Sequence, residues 1–223
     1  MKRNVDLKEI SDGRLYSSND MVKADCGDCI GCFACCCGMG NSIVLDPMDV
    51  HRLTSGLNCT FEALLAKQIE LNVVDGIVLP NLKMQEESGH CAFLNGEGRC
   101  SIHAFRPGIC RLFPLGRCYE EGSFRYFLQV HECPKEPKTK VKIKKWLDIP
   151  DIKAYENFIC QWHYFLKDSG RILQEMRQEK LVNKTNRYIL EQFYRKPYDG
   201  SRDFYEQFQL RLQLAKRYVG ISG

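Results

Sequence analysis

Hydrophobic and polar positions along the chain change rhythm twice. Residues 1–20, "MKRNVDLKEISDGRLYSSND", show no apolar period and read as a mobile arm. Between 21 and 134 the apolar runs are short and broken by glycine and cysteine, which predicts brief strands and irregular connections. Within that region "SIVLDPMDVHRL" predicts a short strand and then a helix. Asp46 is its expected N-cap and Pro47 its first residue, where a missing N–H costs nothing. Thr60 is expected to cap a second helix with Phe61, Leu64, Leu65 and Ile69 on one face. Residues 73–86, "VVDGIVLPNLKMQE", are β-like, with a turn predicted at Pro80-Asn81. "FRYFLQVHEC" predicts a strand that delivers Cys133.

From 151 to 223 the spacing turns helical. Ile152, Tyr155, Ile159, Trp162, Leu166, Leu173 and Met176 share one face, with an interruption expected at Ser169-Gly170. Tyr188, Ile189 and Phe193 mark a second segment, and Phe204, Phe208, Leu212, Ala215 and Val219 a third. No repeat of solenoid type is visible. The fold class expected is α+β: an irregular cysteine-rich metal-binding domain with short strands over 21–134, a basic linker over 135–150, and a helical C-terminal region.

Composition changes this picture in two places. The 223 residues are 44% hydrophobic, enough for a packed core. No apolar run approaches the ~18 residues of a membrane span, and the N-terminus lacks the apolar centre of a signal peptide. A cytoplasmic location is therefore expected. The net charge of +4 is local: six lysines against Glu136 give residues 134–145, "PKEPKTKVKIKK", +5 and leave the remainder at −1. Alternating lysines there suit a solvated face. Aromatics for base stacking are absent from the strip apart from Trp146 at its end, so nucleic acid is not an expected partner.

Cysteine changes the picture most. There are thirteen, six of them in "DCGDCIGCFACCCG", residues 25–38. The cytosol keeps thiols reduced, and adjacent Cys35, Cys36 and Cys37 are poorly placed to pair with one another. Thiols at every third residue among glycines do not follow a core period, so metal binding is the expected role. Thiolate suits zinc, copper(I) or iron–sulfur and not magnesium or calcium. Cys26, Cys29, Cys32 and Cys36 follow C-x2-C-x2-C-x3-C, the bacterial ferredoxin spacing, in which the fourth cysteine serves the other cluster. Gly38 rather than proline follows the run, and no second copy exists. In its place come Cys91, Cys100, Cys110 and Cys133, with "NGEG" expected to fold Cys91 and Cys100 towards each other. Consecutive side chains diverge, so both sets are expected to interleave around one or two centres. A [4Fe–4S] cluster is favoured, with zinc as the alternative.

"CIGCFACC" followed by "CAFLNGEGRCSIHAFRPGICRLFP" resembles the CxxCxxCC cysteine-cluster family, often called YkgJ-like and regarded as zinc- or iron-chelating. The resemblance covers about residues 26–134 and implies Cys29, Cys32, Cys35, Cys36, Cys91, Cys100, Cys110 and Cys133 as ligands. The ferredoxin spacing adds Cys26. Cys37 and Cys118 lie beyond the shared pattern. A related cluster occurs in flagellin lysine methylases, which suggests a protein lysine methylase-like enzyme. However, no glycine-rich nucleotide fingerprint follows a strand here.

Among other residues, His90 and His131 adjoin Cys91 and Cys133 and could complete a metal shell, whereas His51 and His163 read as satisfied polar groups on helices. Arg106 and Arg111 flank Cys110 and could donate either to sulfur or to backbone carbonyls. Cys59 and Cys160 read as core thiols. The functional expectation is a metal-binding module for electron transfer, or the metal-containing part of a protein-modifying system, with a redox partner or protein substrate. The remaining alternative is a zinc-stabilised interaction module.

Overall fold

The computed structural model describes residues 6–27, 32–176 and 178–221. The elements in chain order are α1 (Leu7–Ile10), β1 (Met21–Asp25), α2 (Pro47–Leu57), α3 (Phe61–Lys67), β2 (Ile69–Val74), β3 (Ile77–Leu82), α4 (Gly108–Leu112), β4 (Leu115–Glu120), β5 (Ser123–Leu128), β6 (Thr139–Lys142), α5 (Ile143–Leu147), α6 (Ile152–Glu175), α7 (Glu179–Leu190) and α8 (Phe204–Val219). The fold is α+β. Its strands form three separate antiparallel pairs, β1–β6, β2–β3 and β4–β5. No helix among the described residues is long and apolar enough to cross a membrane.

The predicted helix starts stand. Asp46 accepts from the Asp49 N–H at 2.8 Å, and Asp49 returns a bond to the Asp46 N–H, a complete capping box ahead of Pro47. Thr60 accepts from Ala63 at the start of α3. That helix stops at Lys67, so Ile69 is not on its face but is the buried first residue of β2. In place of the short strand expected there, residues 43–45 make a single bridge to β3 at Val44–Asn81, with Leu45 N donating to Pro80 O at 2.8 Å and Leu82 N to Ile43 O at 3.0 Å.

The turn expected at Pro80-Asn81 falls instead at Asp75-Gly76, where both residues have positive φ and close a two-residue hairpin. Pro80 sits inside β3. The N–H groups of Val78 and Leu82 face away from β2, towards Asn186 and Ile43. Pro80 shares that parity, so its missing donor leaves the β2 ladder intact.

Ser169-Gly170 does not interrupt α6, which runs unbroken for 24 residues. A Cβ on Gly170 would stand 2.7 Å from the Asp75 carbonyl oxygen. Glycine is there because the β2–β3 turn rests on the helix. Asn186 of α7 clamps the same hairpin, accepting from Val78 N at 2.9 Å and donating to Gly76 O at 3.1 Å.

Phe158, Trp162 and Phe165 of α6 pack against Phe193 and Phe208, with Phe158 edge-on to Phe208 at 4.6 Å. The Tyr194 hydroxyl donates to Leu45 O at 2.9 Å. One hydrophobic core therefore runs from Val22 through the α2–β3 region into α6–α8. The lysine strip carries β6, paired with β1, and α5, whose Ile143 and Leu147 are fully buried while Lys140, Lys142 and Lys144 face solvent. The segment before β1 is hydrogen-bonded to the β4–β5 hairpin through Tyr16 and Tyr126, which exchange backbone bonds of 2.8 and 2.9 Å.

Candidate metal centre

A 3-10 turn at Ala34–Cys36 divides the first cysteine run. Beyond it the backbone is stitched to the second run. Cys91 N donates to Cys36 O at 2.7 Å, Gly38 N to Gly89 O at 2.9 Å, and Cys37 pairs with His90 as an isolated bridge. From Cys91 the chain reverses in the "NGEG" turn, where the Asn95 side chain accepts from Arg99 N at 2.8 Å and Leu94 pairs with Cys100. The predicted approach of Cys100 to Cys91 is thereby achieved.

Cys110 arrives by a route that spacing does not reveal. It lies in α4, whose first residue, Gly108, donates its N–H to Asp49 Oδ1 at 2.7 Å. Asp49 is 4% exposed and belongs to the α2 capping box. Burial lifts its carboxyl to about 6, opposed by the N–H groups of Gly108 and Asp46. Gly108 is obligatory, since a Cβ there would sit 2.3 Å from the Tyr155 hydroxyl. One carboxylate in α2 thus anchors the helix that carries Cys110.

The thiols fall into two groups. Cys36 and Cys110 each lie within electrostatic range of Cys35, Cys91 and Cys100. Cys26, Cys32 and Cys133 line one cleft with Phe113, Pro114 and Trp146, and Cys35 lines it too, so it belongs to both groups. Lys138 Nζ fixes the Cys133 carbonyl at 2.9 Å. Cys29 lies outside the described residues.

Burial pushes the thiols of Cys91, Cys100 and Cys133 up, and that of Cys110 well up. Cys36 is raised first by the hydrogen bond it donates to Cys35 and then by burial. The Cys35 thiol falls to about 7, chiefly through that bond from Cys36, with the Arg106 guanidinium assisting. A buried thiol that resists ionising in isolation becomes thiolate when a metal cation supplies the opposite charge.

The donor set is thus soft, partly dehydrated sulfur, which fits zinc or iron–sulfur. Among the described residues no three Cys, His, Asp or Glu side chains are already arranged to hold one ion. The donors are gathered without being closed, and ligation would draw them in, coupling metal binding to local folding.

Cys37 donates its thiol to Phe33 O at 3.5 Å and also lies within electrostatic range of Cys35 and Cys91, whereas Cys118 lies in β4 beside Glu120. Cys59 and Cys160 are half-buried, Cys160 donating to Gly122 O at 2.8 Å. His90 is edge-on to Phe33, His131 is exposed, His51 stacks on Phe204 and His163 on Tyr119. Arg111 is buried and bonded to the carbonyls of Ala104, Arg106 and Asp148, the backbone role. Arg106 lies near Cys35 and Cys100. Every cysteine among the described residues is a free thiol.

The CxxCxxCC family model, described as "Putative zinc- or iron-chelating domain", matches residues 28–152, more than half of the chain. The match takes in both cysteine runs, β6 and α5, and ends at the first residue of α6. No curated protein and no solved structure matches. The chain belongs to the CxxCxxCC family, and its cysteines serve metal binding.

Proposed function

We propose that the protein carries iron–sulfur in two thiolate sets and works as a redox module. The first set is Cys26, Cys29, Cys32 and Cys133. The second is Cys36, Cys91, Cys100 and Cys110, with Cys35 between them. One observation carries the reading: at the end of the Ala34–Cys36 turn, Cys36 leaves Cys26 and Cys32 and joins Cys91 and Cys100. In ferredoxin runs the fourth cysteine of C-x2-C-x2-C-x3-C likewise belongs to the other cluster. Each set then offers four sulfurs, the complement of a [4Fe–4S] cluster. A cluster, when bound, supplies one-electron chemistry. The chain's residues hold it, restrict water around it and present Arg106 beside Cys35 and Cys100. Free thiols throughout the described residues suit a reducing cytoplasm, and a protein redox partner follows from the role.

Anaerobic purification followed by iron, zinc and acid-labile sulfide analysis tests this, together with the visible spectrum. Iron and sulfide should appear in equal amounts, with absorption that bleaches on reduction. Cys133→Ser and Cys91→Ser should each remove part of the iron and leave part. Zinc without sulfide would overturn the cluster and leave a zinc-stabilised module.

A further inference from the structure

Beside the thiol cleft lies a second cavity, of about 400 Å³, between the 103–106 segment, β1, β6 and α5. Its volume is that of an ordinary small-molecule site. Trp146 is a wall of both spaces, held by its indole N–H on Phe113 O at 3.2 Å. Val141 extends the apolar wall.

The charged lining sets three cations, Arg106, Arg111 and Lys145, against two carboxylates, Asp25 and Asp148. Arg111 closes one side, but its donors are committed to three carbonyls, and it lies 3.7 Å from the Asp148 carboxylate, so these two charges offset each other. Asp25 also lines the cavity, with one carboxylate oxygen accepting from Gly27 N at 3.0 Å. Against it stand Arg106 and Lys145, with His103 beside Arg106. Arg106 Nε is buried and has no hydrogen-bond partner among the described residues. The guanidinium that lines the cavity thus belongs to a side chain whose donors the fold does not fully use. Together these features specify an acceptor-rich anion with a flat part for the indole face.

We propose that this cavity binds a small organic oxyanion, a carboxylate or phosphate ester recognised by Arg106 and Lys145, with its flat portion lying on Trp146. The bound molecule is separated from the cleft of Cys26, Cys32 and Cys133 by the Trp146 side chain. The site shares Arg106 with the thiols, whereas Lys145 lines this cavity and not the thiol cleft, so the Lys145 readout stands or falls apart from the redox reading.

The test is calorimetric titration of the full-length protein, carrying its metal as purified, with benzoate, adenosine monophosphate and inorganic phosphate. One of the two organic anions should bind saturably, and more tightly than inorganic phosphate. Whether benzoate or the nucleotide is preferred tells carboxylate from phosphate ester. Lys145→Gln should weaken binding about tenfold, roughly 1.4 kcal/mol, with metal content unchanged, since Lys145 belongs to neither cysteine set. Three results would each overturn the proposal: no saturable heat up to about 10 mM, far weaker than the ~4 kcal/mol of a millimolar site; equal binding by Lys145→Gln; or inorganic phosphate binding as tightly as the organic anions.

Discussion

Asp49 connects helix capping to ligand presentation through two hydrogen bonds. Its carboxylate oxygens take the N–H of Asp46 and the N–H of Gly108, and the second bond spans 59 residues. Asp49→Ala strands both donors in a buried setting, which should cost about 1–3 kcal/mol in denaturant unfolding. The same variant should lose metal faster to a chelator than wild type, because the helix bearing Cys110 loses its anchor. His163 makes a separate prediction. Its ring stacks on Tyr119 at 3.6 Å, and burial lowers its pKa to about 4. The unfolded chain, with an ordinary histidine near 6.5, binds the proton first. Stability should therefore fall as pH drops from about 6.5 towards 4. His163→Phe keeps the stack and should flatten that part of the stability profile; an unchanged slope would assign the dependence elsewhere. At this scale the sequence was informative where partners are neighbours. Asp46, Pro47 and Thr60 were legible, whereas the bond from Gly108 to Asp49 was not, because no local pattern records a partner 59 positions away.

Glycine and proline mislead most at the scale of elements. Gly170 reads as a helix breaker, but its missing side chain makes room for the β2–β3 turn against an unbroken α6. Gly170→Val should thus destabilise the fold by about 1–3 kcal/mol, the range for overpacking, without lowering helical content in proportion. Circular dichroism beside denaturant titration separates the two. A gain of helix and stability on replacing Gly170 would instead restore the breaker reading. Pro80 is similar: its residue type suggests a turn, but its N–H position faces away from the β2 ladder, so a strand accepts it. In the lysine strip the alternating charges correctly indicate a solvated face. What they conceal is that Ile143 and Leu147 on the following short helix are fully buried.

On the scale of the whole molecule, the two cysteine runs and the C-terminal helices share one apolar core, with Cys91 inside it and Cys36, Cys100 and Cys110 packed against it. Stripping metal with a chelator under reducing conditions should lower the unfolding temperature and open the segments around 32–38 and 90–133 to protease, while α6–α8 stay protected. The reason is that donors gathered without closing depend on the metal for part of their order, whereas Phe158, Trp162, Phe193 and Phe208 need none. Simultaneous cleavage throughout the chain would show a single cooperative unit instead. What the sequence determined by itself was the chemistry. Nine of the thirteen cysteines at ligand spacing, in a family-specific order, point to metal before any coordinate is known, because ligand softness is a property of residue type. The helices of the C-terminal region were equally legible, since a 3.6-residue period is local. Only the tertiary structure decided the sorting. It turned Cys36 towards Cys91 and Cys100, left Cys133 with Cys26 and Cys32, and set Trp146 between that cleft and a cationic cavity. Those relations arise from where distant segments cross, and local spacing carries no record of such crossings.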